Sequence, residues 1–343
     1  MSRRVCRPRR AKLLREVRGG PMQDGGLTDS RWYGDEFRLI GDDEFQNEQG
    51  SYRLLELETE QVRFYFPGKE CLESDFKLIY GIGETTAAKL RADGYRSLHD
   101  LTGHSRWGRA AAELLRLIEK GNAERLAAYG ASDLQLLSFF KPESVLFIDI
   151  ETTGLYNVNP AFLVGILQFE NGRGRVRQFL ARDYSEEKAI LQETGACLDQ
   201  AALIASYNGK SFDLPYLKGR FRFHQLAANH PFLHIDLLRS TRRNYRSSLP
   251  NCRLLTIERY LLAAERTDDL PGAQVADYYN RFVETGDPLC IQAILKHNAL
   301  DLLSMAKLMG ILMKHDPCQP GNKWQQPNDI QRKAVGNEDP GNC

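Results

Sequence analysis

The stretch VLFIDIETTG, Val145–Gly154, is a run of apolar residues that ends in two carboxylates. Successive side chains of a β-strand point to opposite faces, so Asp149 and Glu151 are predicted to lie side by side on one face. Like charges held this close repel each other unless a proton or a cation lies between them. The alternative is a strand end that reaches solvent, since one Asp-x-Glu is expected by chance in a chain of this size. The pair therefore indicates chemistry only if other segments supply further ligands.

Two later segments contain residues that could complete such a site. In YNGKSFDLPYL, Asp213 follows an apolar run, and in KHNALDLLSM, His297 and Asp301 are four residues apart on a predicted helix and so share a face. Magnesium and manganese prefer carboxylate and water oxygens. Asp213 could instead cap a helix, and His297 could be a partly buried structural histidine. Asp301 lies among leucines, where an acid without a partner is unusual.

The order of predicted elements favours an α/β domain over residues 142–315. Strand-like apolar runs come first and then alternate with helical segments, which is typical of one central mixed sheet with helices packed against it. The strand-like runs are SVLFIDI, AFLVGILQFE, RVRQFLAR, ALIASYN and part of HPFLHIDLL. Residues 75–138 have helical periodicity, so a small helical domain is predicted to precede the α/β domain.

Three further segments show weaker patterns. Residues 1–50, basic and then acidic, are predicted to be a disordered arm that either attracts a polyanion weakly or is simply solvated. Residues 51–74 are strand-like, because VRFYF alternates before the turn at Pro67–Gly68. Residues 316–343, rich in Pro, Gly and Asn, are predicted to be a disordered tail.

The composition is that of an ordinary globular protein. Hydrophobic residues make up 42% of the 343 residues, charged residues 27%, and the net charge is +1. No apolar run is long enough to span a membrane, and the Arg-rich start lacks the apolar core of a secretory signal. Seven cysteines without a Cys-x-x-Cys pair indicate reduced thiols rather than disulfides or zinc. We therefore expect a cytoplasmic protein with no membrane partner.

The helical segment contains a glycine-rich turn, IYGIGETTAAKL, before a helix predicted to begin at Glu84 or Thr85. Glycines allow backbone to approach a phosphate closely, and amides at a helix N-terminus attract it. The stretch resembles the hairpin of helix-hairpin-helix modules. Gly81, Ile82 and Gly83 are then the expected contact loop, with Lys89 as an additional contact. The alternative is a helical domain that only packs against the catalytic domain or binds a protein.

The acidic segments resemble the three motifs of the DEDD superfamily of 3′–5′ exonucleases, which have a ribonuclease-H-like fold. The motif residues are Asp149 and Glu151 in DIETTG, Asp213 in NGKSFD and Asp301 in HNALD. The chain resembles YprB-type ribonuclease-H-like proteins more closely, through SLPNCRLLTIERYLLAAERTDDLPGAQVADYY and the HN…D ending. The similarity extends over residues 145–312. It implies an α/β fold with a ribonuclease-H-like mixed sheet and flanking helices.

This resemblance implies a site for two Mg²⁺ or Mn²⁺ ions. Asp149 would bridge both ions, Glu151 and Asp301 would hold the ion that activates water, and Asp213 would serve the other ion. His297 would orient or deprotonate the attacking water. In one branch of the superfamily a Tyr stands four residues before the last Asp, and in another a His stands five before it. His297 is a histidine at the tyrosine spacing, which turns the side chain by about 100° around a helix.

The sequence as a whole predicts a metal-dependent nuclease, a 3′–5′ exonuclease acting on DNA. An RNA-acting or endonucleolytic relative and a non-catalytic nucleic-acid-binding protein of the same fold are the alternatives. Asn208 and Lys210, near Asp213, are expected to contact nucleic acid, although Lys210 could equally be a solvated loop lysine. A basic cluster either follows a nucleic-acid backbone or is only an exposed helix face. It consists of Arg239, Arg242, Arg243 and Arg246. Protein partners are not indicated.

Overall fold

The protein contains a single mixed sheet within the residues that the computed structural model describes, which are 33–60, 62–227, 233–264, 266 and 270–314. The strands are β1 (Phe37–Asn47), β2 (Gly50–Thr59), β3 (Val145–Thr152), β4 (Ala161–Glu170), β5 (Arg173–Leu180), β6 (Leu203–Ser206) and β7 (Leu233–Asp236). Their order across the sheet is β1-β2-β5-β4-β3-β6-β7. The pairs from β1 to β3 are antiparallel, whereas β3–β6 and β6–β7 are parallel. The predicted mixed α/β sheet is confirmed.

The central strands are apolar because both faces of the sheet are covered. Residues 145–148 of β3 are fully buried, as are all four residues of β6. Strands β3, β6 and β7 run parallel, so their carboxyl ends meet at one edge of the sheet. Ligand sites in open α/β sheets lie outside such edges. The edge therefore positions Asp149 and Glu151 near the loops that follow β6 and β7.

The structure corrects the predictions for residues 1–74 in two places. Residues 37–47, expected to be part of a disordered arm, form β1, which pairs along its length with β2. The sequence did not reveal this strand, because its residues are largely acidic and do not alternate clearly between apolar and polar. Pairing with β2 stabilises it instead. VRFYF, Val62–Phe66, was predicted as a strand but pairs with none of the described strands; the strand in this region is Gly50–Thr59. Residues 1–32 and 315–343 lie outside the described residues.

The residues from Phe64 to Pro142 belong to a separate compact unit, which is helical. Its α-helices are α1 (Glu70–Glu73), α2 (Glu84–Ala92), α3 (Leu98–Leu101), α4 (Gly108–Glu119), α5 (Ala123–Ala128) and α6 (Asp133–Leu136). Gly83 is the N-cap of α2, and Ser97 caps α3 with Asp100 in a reciprocal capping box. The helix starts predicted from the glycine-rich turn and from Ser97 are therefore confirmed.

The unit that contains the sheet comprises residues up to Arg63 and Glu143–Met309. Its helices are α7 (Glu187–Gln200), α8 (Asp213–Phe223), α9 (Leu237–Tyr245), α10 (Leu254–Ile257), α11 (Val275–Thr285) and α12 (Pro288–Lys314), whose last residues fall outside this unit. A π-helical turn, Glu258–Leu262, follows α10. None of the described helices is both long enough and apolar enough to cross a membrane.

Candidate active site

Strand β3 delivers the first two acids to the edge of the sheet, where their charges meet those of two distant acids. Burial is the main reason that the pKa of Asp149 is raised well above its ordinary value, and the charges of Glu151, Asp301 and Asp213 raise it further. His297 lies near enough to lower it. The structure therefore brings together the five residues that the sequence predicted for the site.

Asp213 is the first residue of α8 and is 4% exposed. Burial raises its pKa from 3.8 to about 7, and hydrogen bonds from its own backbone amide and that of Ile150 oppose this change. The N-cap of α8 is Phe212, so the alternative interpretation of Asp213 as the helix cap is wrong. A Cβ at Gly209 would lie 3.1 Å from Asp213 Oδ2. Glycine at that position therefore allows the loop after β6 to pass close to the carboxylate.

A neighbouring acid, Asp236, orders the loop that carries the predicted contacts Asn208 and Lys210. Its carboxylate accepts hydrogen bonds from the backbone amides of Asn208 (2.9 Å), Lys210 (3.2 Å) and Leu238 (3.1 Å). Asn208 is exposed in the left-handed region at φ 68°, and Lys210 is half-buried. Asp236, at the end of β7, thus satisfies these three amides and fixes the loop that precedes Asp213.

Helix α12 contributes Asp301, which forms a buried ion pair that the sequence did not predict. Arg266 Nη2 lies 2.5 Å from Asp301 Oδ1, and Arg266 Nε donates to Glu258 Oε2 at 2.8 Å. The side chains of Arg266 and Glu258 are 6% and 2% exposed. One guanidinium is therefore shared by two carboxylates, so this cluster of three groups keeps a net charge of −1.

The imidazole of His297 lies beside this arginine. Arg266 Nη1 is 3.4 Å from His297 Nδ1, and His297 Nε2 is 3.8 Å from Asp301 Oδ2. Because a guanidinium only donates, Nδ1 accepts, and the proton of a neutral imidazole is then on Nε2. The spacing of four residues does place His297 and Asp301 on one face of α12, as predicted. In this arrangement the Nε2–H group of His297 faces the carboxylate of Asp301.

Asn298, the residue after His297, holds Asp149 in place. Its Nδ2 donates to Asp149 Oδ2 at 2.8 Å, and its Oδ1 accepts from Gln178 Nε2 at 3.0 Å. Asn298 and Gln178 are both 0% exposed. Gly165 stands opposite Asp149 in the ladder, and a Cβ there would lie 2.0 Å from Asn298 Oδ1. Glycine therefore makes room for the amide that orients the carboxylate.

Two signals in the sequence point to this arrangement. Asn298 occupies a core position of α12, aligned with the buried Leu295 and Leu302, and a polar residue on an apolar face requires a buried partner. Gly165 interrupts the apolar strand AFLVGILQFE, which indicates close approach of another group. Arg266 gave no comparable signal, because its partners are 8, 31 and 35 residues away in the sequence.

The predicted backbone-binding loop and Lys89 belong to the other compact unit. Gly81 has φ 86°, Ile82 is buried, and Gly83 begins α2 without a side-chain cap. Lys89 is exposed. Glu84, the first residue of α2, pairs with Lys77 Nζ at 3.0 Å. The two glycines thus lie directly before α2, with an acid at the first helical position, and phosphate binding by this loop stays a prediction.

The donor chemistry of the four acids suits a hard divalent cation. Four carboxylates supply oxygen ligands, and three of them raise the pKa of Asp149 by repulsion that a cation would relieve. Within the described part of the chain, no three His, Cys, Asp or Glu side chains are grouped so as to hold a metal ion as they stand. Arg266 holds one oxygen of Asp301 and Asn298 one of Asp149. The residues fit such an ion chemically once Asp301 releases Arg266 and binds the ion instead.

The mixed sheet, the helices on it and the acids at its edge define a ribonuclease-H-like α/β domain. Residues 146–313 match the RNase_H_2 family model, which is described as RNase_H superfamily.

Two known proteins are each similar to about half of the chain. The uncharacterized protein YprB of Bacillus subtilis (strain 168) is 32% identical over 173 residues, which are 49% of this chain and 42% of that protein. The chain thus matches less than half the length of this curated relative. A solved family B DNA polymerase from the hyperthermophilic archaeon Pyrobaculum calidifontis aligns with a TM-score of 0.42 and 19% identity, covering 49% of this chain and 24% of the polymerase.

Proposed function

We propose that this protein is a metal-dependent nuclease that hydrolyses phosphodiester bonds, acting on DNA as a 3′–5′ exonuclease. The RNase_H-superfamily domain supports nuclease activity in general. The observation that carries the proposal is that three carboxylates lie near enough to Asp149 for their charges to act on it, two of them from other segments of the chain. Concentrated negative charge at the end of a strand is suited to bind cations and, through them, a phosphate.

Asp149, Glu151, Asp213 and Asp301 would hold two Mg²⁺ or Mn²⁺ ions. When bound, such ions neutralise the scissile phosphate, lower the pKa of an attacking water and stabilise the leaving oxygen. Asn298 keeps one oxygen of Asp149 engaged, so the other remains for a ligand. Asn298 therefore orients the carboxylate rather than contacting substrate.

Arg266 determines whether His297 can act as a base. While Arg266 donates to Nδ1, His297 carries its proton on Nε2 and orients groups near Asp301 rather than accepting a proton. The imidazole becomes a base only when Arg266 turns away from it. Imidazole is the side chain that most often transfers protons in enzymes at neutral pH.

Each of the two units carries residues suited to contact nucleic acid. Asn208 and Lys210 lie on the loop that precedes Asp213 and present an exposed amide and a half-buried amine. The loop Gly81–Gly83, with Ile82 buried between the glycines, would bind phosphate through its backbone, assisted by the exposed Lys89. Such contacts position a strand without reading its sequence.

The decisive experiment follows end-labelled oligonucleotides with the purified protein in Mg²⁺, in Mn²⁺ and in EDTA. Asp149→Asn is the test variant, and Glu193→Gln, on α7 and hydrogen-bonded to Asn47, is a matched acid outside the site. We expect metal-dependent hydrolysis that falls by at least about 10³-fold in Asp149→Asn and persists in Glu193→Gln. Equal activity in the wild type and in Asp149→Asn would refute the assignment.

The same assay separates the alternatives. A ladder of products shortened from the 3′ end supports a 3′–5′ exonuclease, whereas internal fragments support an endonuclease. Matched DNA and RNA strands separate the two substrate classes, since a 2′-hydroxyl distinguishes them. Binding without hydrolysis in any metal would identify a non-catalytic nucleic-acid-binding protein.

A further inference from the structure

Helix α9 has four arginines along one side. Their spacings of three, one and three residues place them on a single helix face. They are Arg239, Arg242, Arg243 and Arg246, the last at the C-cap, and they are called the α9 arginine face below. All four side chains are exposed. Over this span the face extends about 10 Å along the helix axis.

The helix itself does not explain this concentration of charge. Helix α9 contains no acidic residue, and within the described part of the chain none of the four arginines takes part in an ion pair. Like charges three and four residues apart destabilise a helix. The helix dipole favours Arg242 and Arg243 in the last turn, but Arg239 lies in the first turn, at the positive end. A bound anion would remove these penalties.

The α9 arginine face begins beside the loop that leads to Asp213. The carboxylate of Asp236 accepts from the amide of Leu238 in the first turn of α9 and also from the amides of Asn208 and Lys210. The helix and the loop therefore share one anchor. A polymer lying on this face would pass close to the segment that carries Asp213.

Tyr207 connects the middle of the face to the same loop. Its hydroxyl donates to the carbonyl of Cys252 at 2.6 Å, and Arg242 lies near enough to lower its pKa, which burial raises. Arg253, exposed and adjacent to Cys252, extends the positive charge on this side. Within α9 itself no acid interrupts the positive charge, and the one acid at its start, the N-cap Asp236, is engaged by three backbone amides.

We propose that the α9 arginine face binds the phosphate backbone of a single nucleic-acid strand whose end is hydrolysed at Asp149, Glu151, Asp213 and Asp301. This inference rests on the proposed function and specifies how the substrate is held. Guanidinium groups suit the role because their donors match phosphate oxygens in pairs. A narrow line of charge fits one backbone, and its contacts are independent of base sequence.

Salt dependence of binding tests this interaction directly. A fluorescent single-stranded oligonucleotide is titrated with the full chain in EDTA, which separates binding from hydrolysis, between about 50 and 200 mM salt. The test variant combines Arg239→Gln, Arg242→Gln and Arg246→Gln. Each guanidinium that neutralises a phosphate contributes about 0.7 to the slope of log K against log salt, so the triple variant should flatten that slope by about 2.1.

Two further variants serve as controls for folding and for net charge. Lysine at the same three positions keeps the charge and should keep the wild-type slope. Glutamine at Arg38, Arg173 and Arg175, on β1 and β5 at the other side of the sheet, removes the same charge and should also leave the slope unchanged.

An unchanged slope in the α9 glutamine variant would overturn the inference. Equal flattening in the β1/β5 variant would overturn it too, because only net charge would then matter. If the α9 variant loses affinity only for anionic lipid vesicles, the face serves a membrane and the inference is wrong. If the α9 glutamine variant flattens the slope as predicted but the wild type never hydrolyses a strand, the proposed function fails and the assignment of the α9 arginine face to phosphate binding stands.

Discussion

Replacing Asp213 by asparagine is expected to stabilise the protein in the absence of metal. Asp213 is 4% exposed, and burial raises its pKa from 3.8 to about 7. In the unfolded chain the carboxyl loses its proton near pH 4, whereas in the folded protein it keeps the proton up to about pH 7. Between these values the folded state binds more protons. Stability therefore falls as the pH rises from about 4 to 7 and stays low above that range.

The size of the effect follows from this difference in pKa. The pKa differs by about three units between the folded and unfolded states, and each unit corresponds to about 1.4 kcal/mol. At pH values above about 7 the charged carboxylate therefore lowers the free energy of unfolding by up to about 4 kcal/mol. Asparagine removes the charge and keeps an oxygen that can accept the hydrogen bonds from the backbone amides of residues 213 and 150. Its amide hydrogens lack a full set of partners, so roughly half of the cost, about 2 kcal/mol, should be recovered. For a domain of this size that corresponds to about 4–8 °C in Tm.

Thermal unfolding followed by circular dichroism in EDTA measures the effect. Asp213→Asn and the wild type should have similar midpoints near pH 4, and the variant should unfold at higher temperature at about pH 8. Asp236→Asn is the matched control, because Asp236 is 3% exposed but accepts from three backbone amides. The control should lose about 1–3 kcal/mol. A midpoint of Asp213→Asn at or below that of the wild type at pH 8 would refute the reasoning.

Three further substitutions test the groups around the acids. Gly165→Ala should cost about 1–3 kcal/mol by urea unfolding, because its methyl group would meet Asn298 Oδ1 at 2.0 Å; an unchanged urea midpoint would contradict this. Asn298→Ala should weaken Mn²⁺ binding about 10–100-fold by calorimetry, since Asp149 loses its donor; wild-type affinity would show that Asn298 does not orient Asp149. Arg266→Met should destabilise the metal-free protein by about 3–5 kcal/mol and increase the rise in Tm on adding Mn²⁺, because Asp301 loses its cation. An equal Mn²⁺ response would mean that Arg266 does not compete with metal.

The strands around the acids could be predicted because their pattern is local. Runs such as AFLVGILQFE are apolar throughout, and only buried strands or helices have that pattern. The position of Asp301 on a helix face was equally legible, since three- and four-residue spacings require no knowledge of partners. Segments whose structure depends on a distant partner could not be predicted. Strand β1 is stabilised by its ladder with β2, and VRFYF alternates without acquiring a ladder among the described strands.

The same distinction separates the predicted acids from the residues that surround them. Asp149 lies in the second half of an apolar strand and Asp213 at the start of a helix, positions that the sequence marks, so their convergence could be inferred from fold class. The ion pair of Arg266 with Asp301 and the hydrogen bond from Asn298 to Asp149 join residues 35 and 149 positions apart. Such pairs follow from tertiary packing alone, which no local period encodes.

Diffraction from crystals soaked in Mn²⁺ with a short single strand tests the central claim most directly. We expect anomalous peaks within bonding distance of the carboxylates of Asp149, Glu151, Asp213 and Asp301, with the terminal phosphate of the strand beside them. Peaks confined to other surfaces, with Arg266 still on Asp301 and no phosphate near Asp149, would contradict the account.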